Sequence, residues 1–302
     1  MLNALIDALR SVDLSIYHFL SVFAGNRILD RLAGQEESNY LFKGEIGFVL
    51  YWYLWFKGGP DQERRRRAVI AIMIAAILSI IVARTIAFIS PFRLRPNYDP
   101  TLVHPSYSIP LVPDIENWSS FPSDTAAYFF ALAFGLAYLL RRFAIPILLY
   151  TAAWVCLPRM YLGLHYASDI VAGIAIGITM VWVLFRSDLL QSIVARRLLV
   201  AMEAKPQWFY AIAFLVSCEM ATVFGGFRQA GRAILHAAVG GLLGYEYSGP
   251  SRPIDEWGGL IATAGFLLIA AYVVNVLYRR LHGVRNAPIA PQKSLETPEA
   301  GK

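Results

Sequence analysis

The chain has 302 residues, of which 57% are hydrophobic and only 16% charged. That balance excludes an ordinary soluble domain and points to a membrane protein. The net charge of +6 does not point to nucleic acid, because the basic residues gather in short clusters at the ends of apolar runs.

Residues 2–33 carry apolar positions at helical spacing, interrupted by Asp7, Arg10, Asp13, Arg27, Asp30 and Arg31. This predicts one or two amphipathic helices on the membrane surface or against the bundle. The first residues lack a basic n-region and a small-residue cleavage site, so no cleaved signal peptide is expected. A bilayer core of about 30 Å needs roughly 20 apolar helical residues. The candidate spans are 40–57, 67–90, 122–140, 144–158, 166–186, 207–226 and 257–278, the fourth of them short. Segment 187–206 reads as a cytoplasmic amphipathic helix, and the tail from 284 as disordered. Four domains follow: 1–39 interfacial helices, 40–186 a transmembrane core, 187–283 the amphipathic helix with two more spans, and 284–302 the tail. The fold class expected is an all-α, polytopic helical bundle.

Charge orients the spans. Arg64–Arg67, Arg141-Arg142, the group Arg186, Arg196, Arg197 and Lys205, and the group Arg279, Arg280 and Arg285 fall at every second connection. That side is read as cytoplasmic, with the C-terminus on it. Cys156 and Cys218 lie inside apolar runs and carry no disulfide signal. Trp52, Trp55, Trp208 and Trp257 stand near span ends, as in an interfacial belt, and Glu45 and Glu219 lie within spans.

On the opposite side three polar groups gather at span ends: Phe92-Arg93-Leu94-Arg95-Pro96, Ser119-Ser120-Phe121-Pro122-Ser123-Asp124-Thr125, and the stretch from Arg159 to Asp169. His165 and Asp169 are four apart, so on a helix they share a face and can hydrogen-bond. A carboxylate there would hold the imidazole tautomer. Arginines suit a phosphate because their planar fork contacts two oxygens at once. Pro122 and Ser123 at a helix start add backbone N–H groups and a favourable dipole for an anion. Each piece also has a structural reading, the histidine as a packing residue and the arginines as headgroup anchors. Asp169 resists that reading, since an ionisable side chain entering a span is costly.

In order and spacing these groups resemble the type 2 phosphatidic acid phosphatase superfamily, whose pattern is Lys-x6-Arg-Pro, then Pro-Ser-Gly-His, then Ser-Arg-x5-His-x3-Asp. Arg95-Pro96 matches the end of the first motif, and Arg93 an arginine common just before it. Pro122-Ser123 matches the second, with Asp124 in the glycine place as in bacterial members. Arg159, His165 and Asp169 match the third at full spacing. The resemblance covers about residues 40–186. It implies a phosphatase or phosphotransferase in the bacterial cell membrane, active at the extracytoplasmic face on a lipid phosphate or diphosphate such as an isoprenoid diphosphate. His165 would be the nucleophile and Asp169 its orienting partner. Arg95, Ser123 and Arg159 would clamp the phosphate, with Arg93, Asp124 and Thr125 beside them. No metal or other cofactor is called for, because arginines neutralise the charge. The partners implied are the lipid substrate and membrane lipids, and no nucleic acid.

Three positions depart from the pattern. Phe88 stands in the lysine place, Thr125 in the place of the histidine that protonates the leaving oxygen, and Pro158 in the serine place. Arg84, one turn before Phe88, is a candidate replacement for the lost charge, and His104 for the lost acid. Expelling an alkoxide, with a conjugate acid near ~16 by analogy with water, needs a proton donor, which contributes about 10²–10⁴-fold. A phosphate monoester leaving from a diphosphate has a second pKa of only about 6. Diphosphates are therefore the expected substrates. Two rivals stand beside hydrolysis: transfer of the phosphoryl group to a sugar or lipid acceptor, and a catalytically silent protein that binds or handles anionic lipid.

Overall fold

The computed structural model describes residues 2–109, 118–187 and 195–227, with a few isolated positions beyond. The expected span 257–278, apart from such positions, and the tail from 284 lie outside the described residues. Helices α1 (Leu2–Ser21) and α2 (Arg27–Ser38) precede α3 (Ile46–Phe56), α4 (Gln62–Ile89), α5 (Asp124–Leu139), α6 (Ala144–Thr151), α7 (Leu157–Tyr161), α8 (Ala167–Arg186), α9 (Ala195–Ala204) and α10 (Pro206–Ala221). No strand occurs among the described residues. The protein is an all-α, multi-pass membrane bundle: Gln62–Ile89, Arg141–Tyr161 and Ala167–Arg186 are each long and apolar enough to cross a bilayer.

The arginine run before α4 does more than mark a membrane side. Arg65 donates to the carbonyls of Lys57 (2.5 Å) and Gly58 (2.9 Å), and Arg66 to that of Trp55 (3.1 Å). These are carbonyls that the end of α3 leaves without helical partners, so the cations cap it and complement its dipole. The helix accordingly starts at Gln62, inside the charged run and earlier than its apolar pattern suggests.

The fourth span is longer than expected, running from Arg141 to Tyr161. By sequence its apolar run covers 144–158 and ends on Pro158. A proline has no N–H and crowds the carbonyl four residues back. A π-helical turn over Ala152–Cys156 lies just before it, and the helix resumes at Leu157. A widened turn of this kind is a common way to carry a helix past such a conflict.

Helices α4, α5 and α8 pack on one another at the centre. With 16 residues α5 is ~24 Å long, short of the ~30 Å hydrocarbon core. Its polar approach is buried within the bundle, with Ser120 and Ser123 both 0% exposed. Two glycines spaced as Gly-x-x-x-Gly let α8 meet α5. A Cβ on Gly173 would stand 2.3 Å from the Ser123 carbonyl oxygen, and one on Gly177 would stand 2.2 Å from that of Ala127. Small residues at this spacing allow close backbone approach.

Either glycine changed to alanine should therefore lower the melting temperature of the detergent-solubilised protein. The overpacking cost is about 1–3 kcal/mol. Gly47, where an added Cβ meets nothing within 4 Å, is the control and should be neutral or slightly stabilising on the same change.

The aromatic residues are only partly a belt. Trp55 is buried, stacks on Phe209 with ring centroids 5.7 Å apart and donates to Tyr210 (3.4 Å), while Trp52 donates to Ser217 (3.1 Å). Both tie α3 to α10. Trp208 is exposed, and Trp257 lies outside the described residues. Glu219 accepts from the Phe227 N–H (3.1 Å), closing the end of α10.

Candidate active site

The three polar sequence groups meet at one end of the bundle. Segment 91–98 leaves α4 and pairs with the approach to α5: Ser120 N–H donates to the Arg93 carbonyl (2.8 Å), and Arg93 N–H to Ser119 Oγ (3.2 Å). Asn97 N–H donates to the Gly163 carbonyl (2.9 Å). Gly163 has φ +66, a left-handed conformation that favours glycine, and it turns the chain between α7 and α8. The Arg159 carbonyl accepts from Leu164 (2.9 Å) and His165 (3.3 Å), and Ser123 N–H donates to the Asp169 carbonyl (3.1 Å). Backbone bonds thus join all three groups before any side chain is considered.

His165 is 2% exposed, and its two ring nitrogens face different partners. Nδ1 lies 2.8 Å from the Ser120 carbonyl oxygen. A carbonyl can only accept, so Nδ1 carries the proton and Nε2 keeps its lone pair. Arg95 Nη1 donates to that lone pair at 3.1 Å and to the Leu164 carbonyl at 2.7 Å. The bare Nε2 therefore faces a guanidinium, the group expected to hold a phosphate.

The expected hydrogen bond between His165 and Asp169 is not made: Nδ1 to Oδ2 is 3.8 Å. The spacing of four residues assumed a common helix, whereas α8 begins at Ala167 and His165 lies in the turn before it. Asp169, 0% exposed, accepts from Ser120 Oγ (2.5 Å), Tyr166 N–H (2.8 Å) and Arg93 Nη1 (2.6 Å). It reaches the imidazole through Ser120, whose hydroxyl it binds and whose carbonyl holds Nδ1. Ser120 is the residue that sequence reasoning passed over. The signal was present in the Ser-Ser pair two residues before Pro122.

Arg93 also departs from expectation. Nη1 goes to Asp169 and to Ser168 Oγ (2.8 Å), Nη2 to Asp13 (2.7 Å), and the guanidinium lies 4.2 Å from the Tyr166 ring. Two carboxylates engage both of its terminal nitrogens, so it braces the site and does not face an anion.

The remaining cations converge. Arg95 and Arg159 are 6% and 8% exposed. Burial, then repulsion from Arg159, lowers the Arg95 guanidinium to about 10, which leaves it charged at neutral pH. Its field also includes Asp124, Arg84 and Asp169. Arg84 pairs with Asp124 Oδ2 at 2.5 Å and lies 4.0 Å from the Trp118 ring. Phe88, in the lysine place, is 83% exposed and faces away. Arg84, one turn earlier, thus reaches the cluster that position 88 does not. The α5 start is largely self-capped: Thr125 N–H donates to Asp124 Oδ1 (2.7 Å) and Ala126 N–H to Ser123 Oγ (3.3 Å). Two amides expected to serve an anion are therefore already engaged, although the Ser123 hydroxyl hydrogen remains available to donate. Thr125 Oγ1 contacts Asp124 Oδ1 at 3.4 Å, and His104 is exposed on its loop.

Burial pushes the His165 imidazole down to about 4, reinforced by Arg95 and Arg159 and opposed by Asp169. In a nitrogen NMR titration of detergent-solubilised protein, the signal missing from His165→Ala should stay neutral well below 6.5 and protonate only near 4. A midpoint at 6.5 would show a solvated ring. Across that window the unfolded chain takes up a proton that the folded one refuses, so this group lowers stability as pH falls from 6.5 to about 4.

The sequence model described as "PAP2 superfamily" matches residues 66–191. The chain is 30% identical over 133 residues to the bacitracin transport permease protein BcrC of Bacillus licheniformis, covering 44% of this chain and 59% of that one. A crystal structure of a transmembrane PAP2-type phosphatidylglycerolphosphate phosphatase from Bacillus subtilis superposes with a TM-score of 0.35 at 17% identity, over 59% of this chain and 85% of that one. Arg95, Arg159, His165 and Asp169 all fall inside the segment that the PAP2 superfamily model matches.

Proposed function

We propose that this protein is a membrane lipid phosphatase or phosphotransferase that acts on a lipid diphosphate, such as an isoprenoid diphosphate, at the extracytoplasmic face. The observation that carries the reading is the His165 Nε2 lone pair, buried and held 3.1 Å from Arg95. An incoming terminal phosphate takes over the Arg95 hydrogen bond, with Arg159, Arg84 and the Ser123 hydroxyl balancing its charge. Nε2 attacks phosphorus, and the bond from phosphorus to the bridging oxygen breaks. The lipid monophosphate leaves with that electron pair and needs no proton. The phosphoimidazolium keeps its Nδ1 proton on the Ser120 carbonyl. Water or an acceptor hydroxyl then attacks phosphorus, loses its proton to solvent, and frees Nε2. Catalysis of this kind rests on positioning and charge stabilisation.

A second reading, a silent binder of anionic lipid, is favoured by Thr125 and Phe88. Phosphate release from a panel of lipid mono- and diphosphates decides between them. Turnover of diphosphates supports the enzyme, and saturable binding without turnover supports the binder. The face is tested separately: a reporter at residue 62 should be cytoplasmic and one at residue 104 extracytoplasmic, and finding both on one side would overturn the orientation.

A further inference from the structure

The N-terminal helix is built inside out for a protein in water. Its inward face carries a carboxylate, Asp13, only 3% exposed, with Tyr17 one turn on. Large apolar residues stand outside: Val12 is 55% exposed and Phe19 64%. At about 100° per residue these two share a stripe roughly a third of a turn from Asp13 and Tyr17. Asp7, Ser11 and His18 are exposed on the remaining side. The helix thus has three sides, one toward protein, one apolar and one polar. That arrangement fits a helix lying where a bilayer surface, water and protein meet. Its height agrees, because α1 packs against α7 and α8, at the adjoining ends of the spans Arg141–Tyr161 and Ala167–Arg186.

What the buried carboxylate touches gives this position a consequence. Asp13 Oδ1 accepts from Ser168 N–H (2.9 Å), while Oδ2 accepts from Ser168 Oγ (2.6 Å) and Arg93 Nη2 (2.7 Å). The Ser168 N–H is one of the unpaired amides at the start of α8, so Asp13 caps that helix from another one. Arg93 passes its other arm to Asp169, Asp169 binds Ser120, and Ser120 holds His165. An unbroken chain of hydrogen bonds runs from α1 to the nucleophile.

We propose that α1 is a leaflet-bound positioning element: its apolar stripe lies in the acyl boundary of the membrane, and Asp13, through Arg93, sets the orientation of Asp169 and hence of His165. The catalytic half of this proposal rests on the function proposed above. The lipid half does not.

The test uses the full chain with Cys218→Ser, reconstituted in phosphatidylethanolamine–phosphatidylglycerol vesicles. A fluorophore on Phe19→Cys should be quenched by lipids with a nitroxide on a shallow acyl carbon, and one on His18→Cys by a water-soluble quencher. Equal quenching of both by the aqueous reagent, or shielding of position 19 from both reagents by a second copy, overturns the leaflet contact. Asp13→Asn keeps the shape but cannot hold Arg93 as an ion pair. It should lower kcat about tenfold or more with KM little changed, and Asp13→Glu should restore part of the loss. Should Asp13→Asn fail to fold, Arg93→Lys, with a single ammonium in place of two arms, should show the same kcat loss. An unchanged kcat in either variant overturns the positioning role. If the wild type turns over no diphosphate, the proposed function fails, and the quenching arm still decides where α1 lies.

Discussion

Replacing His165 by alanine should reduce turnover of a lipid diphosphate by about 10⁴-fold or more, to the background rate. The size of the effect follows from how completely the structure commits this ring. Its Nδ1 proton is assigned to the Ser120 carbonyl, its Nε2 lone pair faces Arg95, and burial keeps it neutral down to about 4. A neutral imidazole with a fixed tautomer needs no activating base, so nothing is left to share the role once it is removed. The covalent step provides a second readout. With the terminal phosphate labelled, the wild type should hold label as a phosphoramidate that survives alkali and is lost in acid, whereas the alanine variant should hold none. Wild-type turnover by a folded His165→Ala protein would eliminate the phosphohistidine. Asp169→Asn should cost less than His165→Ala, because Asp169 makes no short hydrogen bond to the ring and holds it mainly through Ser120.

The wild type should turn over diphosphates about 10²-fold or more faster than matched monophosphate esters, and Thr125→His should narrow the gap by raising the monoester rate. The threonine hydroxyl is far too weak an acid to protonate a departing alkoxide at neutral pH. It contacts Asp124, which is itself paired with Arg84. An imidazole at position 125 would have the same carboxylate to orient it, and a charged partner would favour its protonated form. Diphosphate turnover should change little, since the leaving monophosphate carries its own charge without a proton. The measurement is kcat/KM on matched lipid mono- and diphosphates for both proteins. Equal wild-type values on the two substrates would sink the leaving-group argument.

Much of the architecture was legible because a membrane allows few alternatives. Apolar runs of about 20 residues have to be helices, since lipid leaves backbone groups no other partner. The run that ended early at Pro158 shows the limit of this logic. Composition stops a helix at a proline, but a π-helical turn two to six residues earlier lets it continue. The Gly173–Gly177 pair was equally readable as a spacing, yet only the packing shows which helix it admits.

At the site, residue types and order singled out Arg95, Ser123, Arg159, His165 and Asp169 as candidates, because phosphate chemistry draws on few side chains and their spacing is distinctive. Their partners were another matter. Arg93 was grouped with the phosphate ligands and instead bridges Asp169 to Asp13, 80 residues away in the chain. His165 and Asp169 were paired by helical spacing, but the turn before α8 places Ser120 between them. Sequence by itself determined the membrane class and the all-α character, since those depend on hydrophobicity and on local order. Only the tertiary structure decided which carboxylate meets which cation and which imidazole nitrogen is left bare, because a hydrogen bond is settled within a few tenths of an ångström between residues that the chain keeps far apart.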